Sequence, residues 1–181
     1  LVRVPLTAGI SPIAGKTPDG MQMLKASEAM ARADFAMHEA KDVLVYDDKM
    51  LVEAHLTSRM ESLQEAALGR EEFEIWYQPK YDLVTKRCIG AEALVRWKSE
   101  ELGFLPPGKF IALFESNGFI SNLDFYNLEH VMQFQRDCRA KGLPVVPISV
   151  NQSRIHMQEQ GYLRKMSALV GKYTTDGIEL E

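Results

Sequence analysis

Three oxygen-bearing side chains stand out by where they fall in the chain. Glu92 lies in Ile89-Gly90-Ala91-Glu92-Ala93-Leu94, Asn151 follows Pro147-Ile148-Ser149-Val150, and Glu181 follows Gly177-Ile178-Glu179-Leu180. Each sits in or directly after an apolar run of strand length. Carboxylate and carboxamide oxygens are hard donors that suit Mg²⁺ or Mn²⁺, ions that neutralise phosphate charge and activate water. In parallel α/β folds the C-terminal strand ends surround the ligand. A divalent-metal site is therefore the chemistry these residues offer as a set, while each taken singly also fits a solvated strand end. Other chemistries find less support. His38, His55, His130 and His156 are scattered without H-E-x-x-H or comparable pairing, which reads as surface or satisfied histidines. Cys88 and Cys138 have no second Cys or His at ligand spacing, so two reduced, half-buried thiols are expected rather than a zinc site or a disulfide framework.

The elements that would position the three oxygens follow from hydrophobic spacing. From Phe73 onward, short apolar runs at 73–78, 87–95, 145–150 and 177–181 alternate with helical spacing at 107–119, 122–141 and 152–171. Leu123, Phe125, Leu128, Val131, Met132 and Phe134 define a core face on the second of these helices. This is the trace of βα units around a largely parallel sheet, and the expected fold class is α/β. Upstream, Leu1 to Ile10 is a β-like run, and Pro12 to Gly20 is rich in turn residues. A helix with Met23, Leu24, Ala26, Met30, Ala33, Met37 and Ala40 on one face should end near Lys41. A short strand at Val43 to Tyr46 follows, then a second helix begun by Asp47-Asp48. Its Met50, Leu51, His55, Leu56, Met60, Leu63 and Ala67 share a face, and Gly69 is expected as its left-handed cap. Met21, Met23, Met30 and Met37 read as core filler. Trp76 and Trp97 should pack between sheet and helices, with stacking on a base as the alternative.

Composition bounds the class. The chain has 181 residues, 46% hydrophobic and 25% charged, with a formal net charge of -4, an ordinary globular balance. No basic stripe suggests a DNA or RNA duplex partner. No apolar run approaches the roughly 18 residues of a membrane segment, and no signal-peptide pattern opens the chain, so a cytoplasmic location is expected. The start at Leu1, without Met or a capping pattern, reads as cut from something longer.

The motifs between Tyr77 and Glu181 carry a resemblance. Tyr77-Gln78-Pro79-Lys80 followed by Gly90-Ala91-Glu92-Ala93-Leu94-Val95-Arg96-Trp97 resembles the opening of the EAL domain family, whose name is the tripeptide Glu92-Ala93-Leu94, and the longer E-x-L-x-R pattern gives the match its specificity. Gly103, Leu105, Pro107, Phe110, Ile111, Glu115, Gly118 and Ile120 keep the family's spacing. Ser149-Val150-Asn151-Gln152-Ser153 matches its S-V-N-x-S strand end, and Ile178-Glu179-Leu180-Glu181 its L-x-L-E. Two departures are local: Ser99-Glu100 stands where the family often has His-Pro, and Ala112-Leu113-Phe114-Glu115 where it has Pro-Leu-Ala-Glu. The resemblance implies Glu92, Asn151 and Glu181 as ligands of Mg²⁺ or Mn²⁺, and Gln78, Leu94, Arg96 and Pro107 as contacts to cyclic di-GMP. Arg96 offers a planar fork matched to phosphate oxygens, and Gln78 both a donor and an acceptor.

The first third resembles the end of a GGDEF-type domain, through Thr7-Ala8-Gly9-Ile10 and through Ala33-Asp34-Phe35-Ala36-Met37 with Ala40-Lys41. The implied organisation is a GGDEF-type remnant over 1–50, a helical linker over 51–71, and the N-terminal half of an EAL domain over 72–181. The implied fold is a partial (β/α)8 TIM-like barrel preceded by an α/β remnant, because a full barrel takes roughly 250 residues. The intact parent is expected to hydrolyse cyclic di-GMP to linear pGpG, the segment alone to be inactive. The alternative is a non-catalytic cyclic di-GMP receptor or scaffold. An open half-barrel should recruit a second polypeptide, either a further copy in a homo-oligomer or the missing half.

Overall fold

The computed structural model describes residues 7–17, 20–40, 43–158, 160–173 and 176–181. It divides into two compact units, Leu1–Ser58 and Arg59–Glu181.

In the first unit β1 (Ala8–Ile10) pairs in parallel with β4 (Val43–Val45), and α1 (Ala26–Glu39) lies between them in the chain. Gly9 is required there: a Cβ at this position would run into the Ala33 carbonyl and the Met37 amide of α1, so glycine alone allows the strand this close to the helix. Tyr46 is buried, with Phe35 edge-on at 6.3 Å and the Arg32 guanidinium 5.0 Å above its ring. The turn-rich stretch after Pro12 is in fact a hairpin, β2 (Ala14–Thr17) against β3 (Gly20–Met23). Met30 is not core filler but 73% exposed. The expectations for Leu1 to Leu6, for Lys41, and for the side chains of Met21 and Met23 lie outside the described residues.

Helix α2 (Asp48–Gly69) begins where Asp47 accepts the Lys49 amide at 3.1 Å, a capping contact. Only Met60, Leu63 and Ala67 of its expected face are buried, whereas Leu51 and His55 are exposed and Met50 is half-exposed. The left-handed residue after this helix is Glu71, with φ 57°, and not Gly69, which remains helical.

The second unit contains β5 (Phe73–Tyr81), β6 (Cys88–Ser99), β7 (Gly103–Leu105), α3 (Ile111–Asn117), α4 (Ile120–Ala140), β8 (Ile148–Val150), α5 (Tyr162–Lys172) and β9 (Ile178–Leu180). The sheet order is β5-β6-β8-β9, with β7 also on β6. The pairs β6-β8 and β8-β9 are parallel, but β5 and β7 are antiparallel to β6, which corrects the expectation of a largely parallel sheet. The connection from Tyr81 to Cys88 is too short for a crossover and must reverse as a hairpin. Asp82 closes it by accepting the Val84 amide at 3.1 Å and the Thr85 hydroxyl at 2.7 Å.

Strand alternation sorts this sheet into two faces. Ile75, Tyr77, Ala91, Ala93, Ile148, Val150 and Ile178 share the face that packs on Leu128, Val131 and Met132 of α4 and on Met166 and Leu169 of α5. Phe134 belongs to the expected face of α4 yet is 46% exposed; its ring stacks on Tyr77 at 4.7 Å. At the far end of β5 and β6, Trp97 is fully buried against Phe73, Phe110 and Phe114. Its Nε1 donates to the buried Glu72 carboxylate at 3.0 Å. Gln135 of α4, 1% exposed, donates from Nε2 to the Val146 and Gly177 carbonyls, both at 2.9 Å. One buried amide thus fixes where β8 and β9 enter the sheet. No described helix is long and apolar enough to cross a membrane. Cys88 is exposed rather than half-buried, Cys138 is half-buried, and both are free.

Candidate functional site

The second face of the sheet is polar, and register places its members. Gln78 lies opposite Glu92, Lys80 opposite Gly90, Trp76 opposite Leu94 and Glu74 opposite Arg96. In the parallel pairs Glu92 lies beside Ser149, and Ser149 beside Glu179. Asn151 and Glu181, two positions beyond Ser149 and Glu179, continue this face as the chain leaves β8 and β9. Gln78, Glu92, Leu94, Arg96, Asn151 and Glu181, chosen from sequence, therefore share one side of one sheet.

Within this face, contacts divide the three expected ligands. Asn151 Nδ2 donates to Glu92 Oε1 at 2.9 Å. Glu181 is turned instead to Lys80, whose Nζ donates to Glu181 Oε1 at 2.9 Å and to Ser149 Oγ at 2.8 Å. Hydrogen bonds from Lys80 and then Ser149 hold the Glu181 carboxyl below the usual carboxylate range, and the bond to Glu181 holds the Lys80 ammonium above its ordinary value. No three His, Cys, Asp or Glu side chains cluster as a metal site among the described residues. The donor set that fits a hard cation is the mixed one, two carboxylates and a carboxamide. All three residues are exposed or half-exposed, and one carboxylate, Glu181, is already paired with the Lys80 ammonium.

Arg96 sits over the Trp76 ring at 5.6 Å and donates to the Val95 carbonyl at 2.9 Å. Its cross-strand neighbour Glu74 pairs with Lys98 at 3.3 Å instead. The guanidinium thus has no carboxylate partner among the described residues. Trp76 is 51% exposed on this face, not packed between sheet and helices as expected, because it has the parity of Gln78 while Trp97 has the opposite parity.

Leu94, Pro107 and Asn151 meet in a cavity of about 280 Å³ whose far wall includes Glu115, Asp124 and Asn127. Pro107 opens the short 3-10 turn Pro107–Lys109. The chain just past Asn151 is tied down on the same side. The buried Asp124 accepts the Ser153 amide at 2.8 Å and contacts His156 Nε2 at 2.9 Å, while Ser153 Oγ donates to Glu115 at 2.7 Å. Burial raises the Asp124 carboxyl against the lowering effect of these bonds. His156 is accordingly a satisfied core histidine. Sequence reading missed Lys80 and Asp124 as site residues. The signal for Lys80 was available, two positions from Gln78 and so on its face. For Asp124, one acidic residue in an apolar helical stripe was the only sign.

Comparison with known proteins places this arrangement. The EAL domain family matches residues 60–181, nearly the whole second unit, and the chain belongs to that family. Cyclic di-GMP phosphodiesterase PA2567 of Pseudomonas aeruginosa is 31% identical over 177 residues, 96% of this chain and 30% of the relative. Among solved structures, the PaMucR phosphodiesterase in its c-di-GMP complex superposes with a TM-score of 0.61 at 25% identity, over 67% of this chain and 50% of that one. The Vibrio cholerae LapD S helix-GGDEF-EAL structure bound to c-di-GMP matches in fold, at TM-score 0.59 and 14% identity, over 88% of this chain and 39% of that one. The chain spans about a third or less of the length of the curated relatives it matches. The second unit is thus an EAL-type α/β fold, part of a TIM-like barrel.

Proposed function

We propose that this chain is a segment of a cyclic di-GMP signalling protein whose whole form hydrolyses cyclic di-GMP to linear pGpG with Mg²⁺ or Mn²⁺. The observation that carries this reading is the shared polar face, on which Gln78, Glu92, Arg96, Asn151 and Glu181 stand together on adjacent strands. The named activity of the Pseudomonas relative supports it. Glu92, Asn151 and Glu181 would hold the ion, which when bound supplies charge neutralisation and an activated water. To do so Asn151 must present its Oδ1 where its Nδ2 now faces Glu92, and Glu181 must share or release Lys80. Arg96, without a carboxylate partner among the described residues and braced on Trp76, would take a phosphate oxygen. Gln78, opposite Glu92, can donate and accept beside it. Leu94 and Pro107 wall the adjoining cavity, where a base edge would be sheltered.

The domain assignment belongs to the same proposal: a GGDEF-type remnant over 1–50, a linker over 51–71 and an EAL segment over 72–181. The fold-level match to a GGDEF-EAL structure over most of this chain supports it. Association with a further polypeptide, a second copy or the rest of a barrel, would cover the outer edge of β9.

A receptor that binds cyclic di-GMP without cleaving it is the second reading, favoured by the pairing of Glu181 with Lys80 rather than with the other two oxygens. The test is hydrolysis by the full-length protein that carries this segment. We expect pGpG formation dependent on Mg²⁺ or Mn²⁺, lost in Glu92→Ala while the circular dichroism spectrum is unchanged. Tight binding of cyclic di-GMP with no product in the wild type would establish the receptor instead.

A further inference from the structure

Lys80 is not among the residues assigned above to ion or nucleotide, yet its side chain joins three strands of the polar face. It starts on β5, and its ammonium contacts Ser149 on β8 and Glu181 beyond β9, so the side chain crosses β6 entirely. Gly90 makes the crossing possible. It is the β6 residue directly opposite Lys80. A Cβ there would touch Lys80 Cδ at 3.9 Å and crowd the Pro147 carbonyl oxygen at 3.2 Å, so any longer side chain would fill the lane the lysine uses. The ammonium ends among carboxylates: Glu181 at hydrogen-bond distance, with Glu92 and Glu179 also adding to the field that favours its charge.

We propose that Lys80 is a built-in competitor cation, a positioning residue whose ammonium holds Glu181 and Ser149 in place on the polar face and weakens the grip of Glu92, Asn151 and Glu181 on a divalent ion. This rests on the metal reading given above and deepens it. Metal binding there has a cost, because departure of the lysine breaks its ion pair with Glu181 and its continued presence sets a unit positive charge against a doubly charged ion. The site is thereby kept ordered while it waits for metal, and its affinity is set low.

Calorimetric titration of Mn²⁺ into the full chain, without nucleotide, compares wild type, Lys80→Met, Lys80→Arg and Glu181→Gln. Removing a unit charge about 5 Å from a divalent ion in a water-like medium should tighten binding about tenfold in Lys80→Met, with Lys80→Arg staying within about threefold of wild type. A purely structural lysine would lower thermal stability in Lys80→Met without tightening Mn²⁺. Binding by the wild type that Glu181→Gln weakens and Lys80→Met leaves unchanged or weaker overturns the inference and leaves the metal reading standing. Binding by Lys80→Met alone supports the inference, and binding by no variant overturns both.

Discussion

The role proposed for Arg96 rests on what its side chain lacks. Every other cation on the polar face is paired: Lys80 with Glu181 and, at the margin, Lys98 with Glu74. The Arg96 guanidinium is held by a carbonyl and an indole ring, neither of which neutralises it. A planar fork left with its charge is matched to a phosphate, and a lysine could not reproduce both the fork and the stacking. Arg96→Met should therefore weaken cyclic di-GMP binding at least about tenfold, the loss expected for charge-assisted hydrogen bonds, and Arg96→Lys should recover only part of it. Equal affinity in wild type and Arg96→Met by calorimetry would remove Arg96 from the site. At this scale the sequence was legible where strand parity and motif coincide, as for Glu92 and Gln78. It was not legible for Trp76, whose exposure depends on which of two aromatic residues takes the inward parity, nor for the turn of Glu181 toward Lys80, which depends on Gly90 of β6, two strands away from β9.

Elements here are positioned by single buried polar groups as much as by apolar stripes, and these are what periodicity misses. Gln135 joins α4 to the start of β8 and β9, and Asp124 joins it to the turn after Asn151. Both lie within a helix face that hydrophobic spacing reads as uniformly apolar. Glu72 is the counterpart at the other end of the sheet. It is buried, which alone would raise its carboxyl, but hydrogen bonds from Trp97 and Arg70 outweigh burial and hold it below the usual range. The sign follows: with the folded pKa depressed, its stabilising contribution is complete above the unfolded-chain value near 4.3 and is lost as pH falls through the lower folded value. Glu72→Ala should cost about 2 kcal/mol in urea denaturation at pH 7 by leaving Trp97 Nε1 without an acceptor. That deficit should shrink as the wild type is taken below about pH 4; a deficit constant with pH would show that the carboxylate charge contributes nothing. The strands themselves were readable from apolar runs, but not the antiparallel sense of β5, which is decided by the short reversal at Asp82 rather than by any property of the strand.

For the molecule as a whole, the EAL motifs and the second compact unit coincide, and one sheet serves two purposes by alternation. Its apolar face binds α4 and α5, and its polar face gathers oxygens from β6, β8 and β9 beside cations from β5 and β6. If the proposed function holds, that polar face takes a divalent ion and the dinucleotide together. The most direct measurement is a calorimetric titration of cyclic di-GMP into the full chain with Mn²⁺ present, repeated with the metal chelated and again in Glu92→Gln. The predicted result is binding that weakens at least about tenfold on chelation and in Glu92→Gln alike, as expected when charge-assisted contacts are lost. Affinity indifferent to metal and to Glu92 would contradict it.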